Sequence, residues 1–125
     1  MAKILLVDDE EPIRGFLKRG LDLEGHTVTT AVDGSDALDK LAEQAGDFDL
    51  MLTDIRMPIM DGIALALSAK RDYPALSILL MTGFADQRER AKGLEVIVED
   101  VLTKPFSLAD LRSAVREVLE RRGVN

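Results

Sequence analysis

Short apolar runs closed by polar residues alternate along this chain with helix-patterned stretches, and that alternation leaves few folds open. Ile4-Leu5-Leu6-Val7 runs into Asp8-Asp9, Leu50-Met51-Leu52-Thr53 into Asp54, and Val101-Leu102-Thr103 into Lys104. Continuous apolar runs of this length suit strands buried on both faces. Pro12 suits the first turn of a helix, where its missing N–H costs nothing. Ile13, Phe16, Leu17, Gly20 and Leu21 then recur at helical spacing and predict one core-facing stripe, stopped by Gly25. Residues 26–31, rich in threonine and valine, predict a second strand nearer an edge.

Further along, Asp33-Gly34-Ser35-Asp36 offers capping oxygens to a helix with Ala37, Leu38, Leu41, Ala42 and Ala45 on one face. A third helix is expected over 63–72 and a fourth strand over 77–81. The last helix follows Ser107, which pairs with Asp110 as a capping pair and precedes Leu108, Leu111, Val115, Val118 and Leu119 as buried positions. The weakest stretch is 84–98. Its charged part, 85–92, predicts a short, poorly anchored helix broken by Gly93, and 94–98 is β-prone. Alternating β and α units imply a parallel sheet with helices on both faces.

Bulk properties narrow the function. A chain of 125 residues is one domain by size. A net charge of −7, with no cluster of lysine and arginine, excludes the basic footprint that direct nucleic-acid binding requires and leaves proteins as the expected partners. With no cysteine, disulfides and thiolate metal sites are excluded, which suits a reducing cytoplasm. The apolar run before Asp8 is too short for a signal-peptide core or a membrane span.

Polar residues just past the carboxyl ends of parallel strands gather on one rim of the sheet. Asp8, Asp9 and Asp54 would repel one another there without a counter-charge, and hard oxygen ligands suit Mg²⁺. A carboxylate can also attack phosphorus to form an aspartyl phosphate. Asp54, alone at the end of a central apolar strand, is the best-placed nucleophile. Lys104 supplies a positive charge and Thr82 a hydroxyl for phosphoryl oxygens, and Gly83 leaves the approach open. A cis peptide before Pro105 would turn Lys104 into the site. Met57 is expected to pack beneath the loop that follows Asp54.

The segments Leu6-Val7-Asp8-Asp9-Glu10, Thr53-Asp54-Ile55-Arg56-Met57-Pro58-Ile59-Met60-Asp61-Gly62, Met81-Thr82-Gly83 and Leu102-Thr103-Lys104-Pro105-Phe106 resemble those of two-component response regulator receiver domains (CheY-like). The resemblance runs from about residue 3 to 119, with every motif in order. It implies a flavodoxin-like (βα)5 three-layer sandwich with a five-stranded parallel sheet of order 2-1-3-4-5. Residues 1–125 would then be a single receiver domain with no output domain.

The same resemblance implies roles. Asp54 would accept a phosphoryl group from a histidine kinase or histidine phosphotransfer protein. Asp8 and Asp9 would hold Mg²⁺ with Asp54 and the backbone carbonyl of Arg56. Thr82 and Lys104 would bind phosphoryl oxygens, and movement of Thr82 would signal the surface of the fourth helix, fifth strand and last helix. Arg56 and Phe84 occupy the positions that tune attack of water on the phosphoaspartate. Val101 stands where receivers carry Tyr or Phe, so the aromatic half of the switch is absent or Phe84 replaces it.

On this reading the chain is an autocatalytic phosphoacceptor of the cytoplasm rather than a turnover enzyme. It would switch contacts with a downstream protein, as a monomer that can dimerise on phosphorylation, touching neither nucleic acid nor membrane. The alternative is a pseudo-receiver that binds its partner without phosphate. Further segments, 81–85 and 104–108, resemble receivers of hybrid kinases and CpdR-type stand-alone receivers.

Overall fold

The computed structural model describes residues 2–83 and 89–123. Five strands, β1 (Lys3–Val7), β2 (Thr27–Ala31), β3 (Leu50–Asp54), β4 (Ser77–Thr82) and β5 (Asp100–Thr103), form one parallel sheet in the order β2-β1-β3-β4-β5. The alternation of the sequence predicted a parallel sheet, and this is the flavodoxin-like order that the family resemblance implied. Helices α1 (Glu11–Leu23), α2 (Gly34–Glu43), α3 (Gly62–Asp72) and α4 (Leu108–Arg122) are complete among the described residues.

The pleat sorts the apolar runs into two cores, because successive strand residues point to opposite faces. Ile4, Leu6, Leu50, Leu52, Leu79, Met81 and Leu102 meet Leu17 and Leu21 of α1 and Leu111, Val115 and Val118 of α4 on one side. Leu5, Val7, Met51, Ile78 and Leu80 meet Ala37 and Leu41 of α2 and Leu65, Ala66 and Ala69 of α3 on the other. Strands β1, β3 and β4 are covered on both faces, which is why their runs 4–7, 50–52 and 78–81 are continuously apolar. Strand β2 lies at an edge, which is consistent with its threonines.

Caps set the helix starts. Asp33 accepts from Asp36 N–H at 2.7 Å and Asp61 from Ala64 N–H at 2.9 Å. Ser107 and Asp110 form a reciprocal capping box, as the sequence predicted. Helix α1 has no side-chain cap. At its far end α4 is tied to the sheet by Arg122, whose Nη1 donates to Ser77 Oγ at 2.9 Å.

Three expectations fail locally. Phe16, placed on the buried stripe of α1, is 50% exposed. The cover on that face comes from Leu108, which fills the space over Gly20 so closely that a Cβ there would sit 2.8 Å from its Cδ2. Ala42 and Ala45 are exposed, and Ala45 lies past the end of α2 at φ 52°. The 94–98 stretch forms a turn, with Ile97 and Val98 N–H both donating to Leu94 O at 2.8 Å. Its β-prone residues serve packing instead, and Val98 is buried in the core with Ala91. Residues 89–91 are helical, and the rest of the expected 85–92 helix lies partly outside the described residues.

Candidate functional site

Strand register brings the acidic residues together. Val7 pairs with Thr53, so Asp8 and Asp54 are neighbours one step further along β1 and β3. Both continue the Leu6 and Leu52 side of the pleat, and Lys104 continues the side of Leu102. All three therefore leave the sheet toward α1. Lys104 Nζ lies 3.3 Å from Asp54 Oδ2 and 4.0 Å from Asp8 Oδ2. The peptide between Lys104 and Pro105 is cis, and Lys104 N–H donates to Thr82 O at 2.8 Å.

The cluster opens into a cleft of about 340 Å³ lined by Asp9, Glu10, Ile13, Asp54, Arg56, Gly83 and Lys104. Asp8 and Thr82 are buried and do not line it. Thr82 ends β4 beside Thr103, one residue before Gly83. Phe84 lies outside the described residues. Val101 is half-buried in β5, packs against the α2/α3 core and flanks a separate groove of about 240 Å³ beside Leu94 and Val98.

The loop after β3 is built to hold Asp54 still. Gly62 N–H donates to Ile55 O at 2.7 Å, and a Cβ at Gly62 would fall 2.2 Å from the Asp54 carbonyl oxygen. Only glycine permits that approach. Thr53 Oγ1 donates to Asp54 O at 3.0 Å and faces Met57 Sδ at 3.9 Å. Met57 is buried beneath the loop, as expected from sequence. Met60 covers Gly34, where a Cβ would stand 2.9 Å from its own Cβ.

Burial and like charge make the carboxylates costly. Desolvation pushes the Asp8 carboxyl up to about 6, a rise that the Glu10 N–H and Lys104 oppose while Asp54 and Asp9 add to it. Asp54 is also raised by burial, with Lys104 holding it down. One oxygen of each of Asp8, Glu10 and Asp54 lies within 4.8 Å of the others, and buried Asp8 Oδ2 has no hydrogen-bond partner among the described residues. Hard oxygen donors around an unsatisfied carboxylate oxygen fit a small divalent cation. Sequence reasoning missed Glu10. What brings it in is the Glu10 N–H bond to Asp8 Oδ1 at 2.9 Å, which curls the loop round Asp8.

A three-layer α/β sheet with an acidic cleft and a lysine at the carboxyl ends of its central strands defines a class of site, and comparison with known proteins gives the family. The family model for the response regulator receiver domain matches residues 4–116. The chain belongs to that family. It is 36% identical over 97% of its length to the transcriptional regulatory protein PrrA of Mycobacterium tuberculosis, covering 51% of that protein. It is 38% identical over 97% of its length to CpxR of Escherichia coli, covering 50%. The chain thus spans about half the length of these curated relatives.

Among solved structures, a receiver domain protein from Clostridium thermocellum superposes with a TM-score of 0.90 at 28% identity, covering 98% of both chains. The response regulator TrrA of Thermotoga maritima, solved in complex with Mg²⁺-BeF, gives a TM-score of 0.83 at 32% identity, over 95% of this chain and 100% of that one. No helix among the described residues is long and apolar enough to cross a membrane.

Proposed function

We propose that residues 1–125 act as a single receiver unit in which Asp54 accepts a phosphoryl group from a histidine kinase or histidine phosphotransfer protein. An Asp54 carboxylate oxygen forms the new O–P bond as the P–N bond to the donor imidazole breaks. The observation that carries this reading is the pairing of Asp54 with Lys104 at 3.3 Å beside an unsatisfied Asp8 oxygen. It is a nucleophile flanked by one positive charge and a hard oxygen donor with unused acceptor capacity.

Asp8, Glu10 and Asp54 would hold Mg²⁺, with Asp9 and the Arg56 carbonyl at the same cleft. When bound, the cation neutralises charge on the phosphoryl oxygens. Lys104 binds a phosphoryl oxygen from the β5 side, and Thr82 supplies a hydroxyl from β4. Gly83 leaves the entrance clear, and Arg56 and Phe84 govern access of water. The product state is read by a downstream protein in the cytoplasm, where the chain works as a monomer that can dimerise on phosphorylation.

The competing reading is an adaptor that binds its partner without phosphate. Beryllofluoride separates the two, since it mimics a phosphoryl group on a carboxylate. Addition of Mg²⁺ and beryllofluoride should shift the amide resonances around Asp54, Thr82 and Lys104 in wild type and leave Asp54→Ala unchanged. A silent wild-type spectrum would favour the adaptor.

A further inference from the structure

Asp8 is held by more bonds than a residue at a strand end requires. Its N–H donates to Ala31 O at 3.2 Å, and its Oδ1 accepts from Glu10 N–H at 2.9 Å. Its carbonyl oxygen accepts from Arg14 Nη1 at 2.7 Å. Only the last of these bonds comes from another residue's side chain, which reaches back from the first turn of α1 to the end of β1. Ile13 packs that turn against the core, but its start is thinly hydrogen-bonded. Glu10, at the N-cap, makes no side-chain cap bond, and Pro12 brings no N–H. Arg14 N–H meanwhile donates to Glu10 O at 2.9 Å. The main chain and side chain of Arg14 therefore close residues 8–14 into a ring that contains Asp9 and Glu10.

We infer that Arg14 is a positioning residue for the divalent cation, fixing through the Asp8 carbonyl the peptides from which the carboxylates of Asp8, Asp9 and Glu10 are presented to Asp54. This deepens the Mg²⁺ reading above and depends on it. Mg²⁺ demands near-octahedral ligands at about 2.0–2.1 Å, so small displacements of a carboxylate weaken binding steeply. Groups that orient metal ligands are worth roughly 10–100-fold in affinity.

The sign of the effect is diagnostic. A guanidinium beside a cation site repels the cation, so charge alone predicts tighter Mg²⁺ binding when Arg14 is neutralised. Positioning predicts weaker binding. A helix-anchoring role alone predicts a lower unfolding midpoint with Mg²⁺ affinity unchanged.

The test is isothermal titration of Mg²⁺ into wild type, Arg14→Met and Arg14→Lys, with urea unfolding of each in EDTA. Methionine keeps most of the apolar stem and loses the donor. Its affinity for Mg²⁺ should fall about tenfold. Lysine keeps the charge and an ammonium donor but not the reach and fixed planar geometry that bring Nη1 to the Asp8 carbonyl, and should bind about threefold more weakly than wild type. Equal or tighter binding in Arg14→Met overturns the inference, as does equal binding in Arg14→Lys should the methionine variant not fold. If wild type itself takes up no Mg²⁺, the cation reading falls and this inference with it.

Discussion

The Lys104 ammonium stands 3.3 Å from Asp54 Oδ2, linking the end of an edge strand to the end of a central one. Burial raises the Asp54 carboxyl and Lys104 is the main influence holding it down. Lys104→Met should therefore move the acidic limb of the pH–rate profile with acetyl phosphate to higher pH. It should also slow the reaction by about a hundredfold, the scale of losing one fixed charge stabiliser. Timed assays from about pH 5 to about pH 8 would expose both effects. An unchanged rate would remove Lys104 from the reaction.

Asp8 trades stability for its site. Its carboxyl is raised from 3.8 to about 6, so the folded state holds the proton more tightly than the unfolded chain. The associated stability is present below the unfolded value and is lost as pH rises through about 6. At neutral pH without Mg²⁺ the cost is on the order of 2–3 kcal/mol. Asp8→Asn should stabilise the metal-free protein at pH 7, and the gain should shrink as pH falls toward 5. Urea unfolding in EDTA reads this, and a variant less stable than wild type at pH 7 would refute it.

One substitution should have opposite signs at two glycines. Gly62→Ala drives a Cβ into the Asp54 backbone, which no side-chain rotation relieves. It should cost about 1–3 kcal/mol or more and displace the Asp54 amide resonance. Gly15 lies within α1 with nothing among the described residues within 4 Å of its Cβ position. Gly15→Ala should stabilise by about 0.5–1 kcal/mol. Equal denaturation midpoints for the two variants would show that the close approach at Gly62 carries no energy.

Ile59 combines a left-handed φ of 73° with 87% exposure. A β-branched residue pays in that conformation and here packs little in return. Ile59→Gly should stabilise the protein by about 1 kcal/mol in urea unfolding. A loss of stability would mean that the side chain makes contacts its exposure conceals.

Much of this architecture was legible in the residues. Alternate positions of 4–7, 50–54 and 78–81 divide between two cores, and continuous apolar runs signal that division before any fold is known. Ser107 and Asp110 announced their capping box because the bonds involved are local. The convergence of Asp8, Asp54 and Lys104 followed from parallel strands ending on one rim. Phe16 was not legible. Helical spacing gives a stripe, but how far α4 covers it depends on Leu108 entering over Gly20, a contact made 88 residues away in sequence. Glu10 and Arg14 were missed for a related reason. Their parts arise from the curl of the loop after β1, and residue types alone do not encode that curl.

The most direct test of the account is the intact mass of the protein after incubation with acetyl phosphate. Wild type in Mg²⁺ should gain the mass of one phosphoryl group, labile to hydroxylamine, whereas wild type in EDTA and Asp54→Ala in Mg²⁺ should gain none. No gain in wild type with Mg²⁺, or an equal gain in Asp54→Ala, would contradict the assignment of Asp54 as the phosphoryl acceptor.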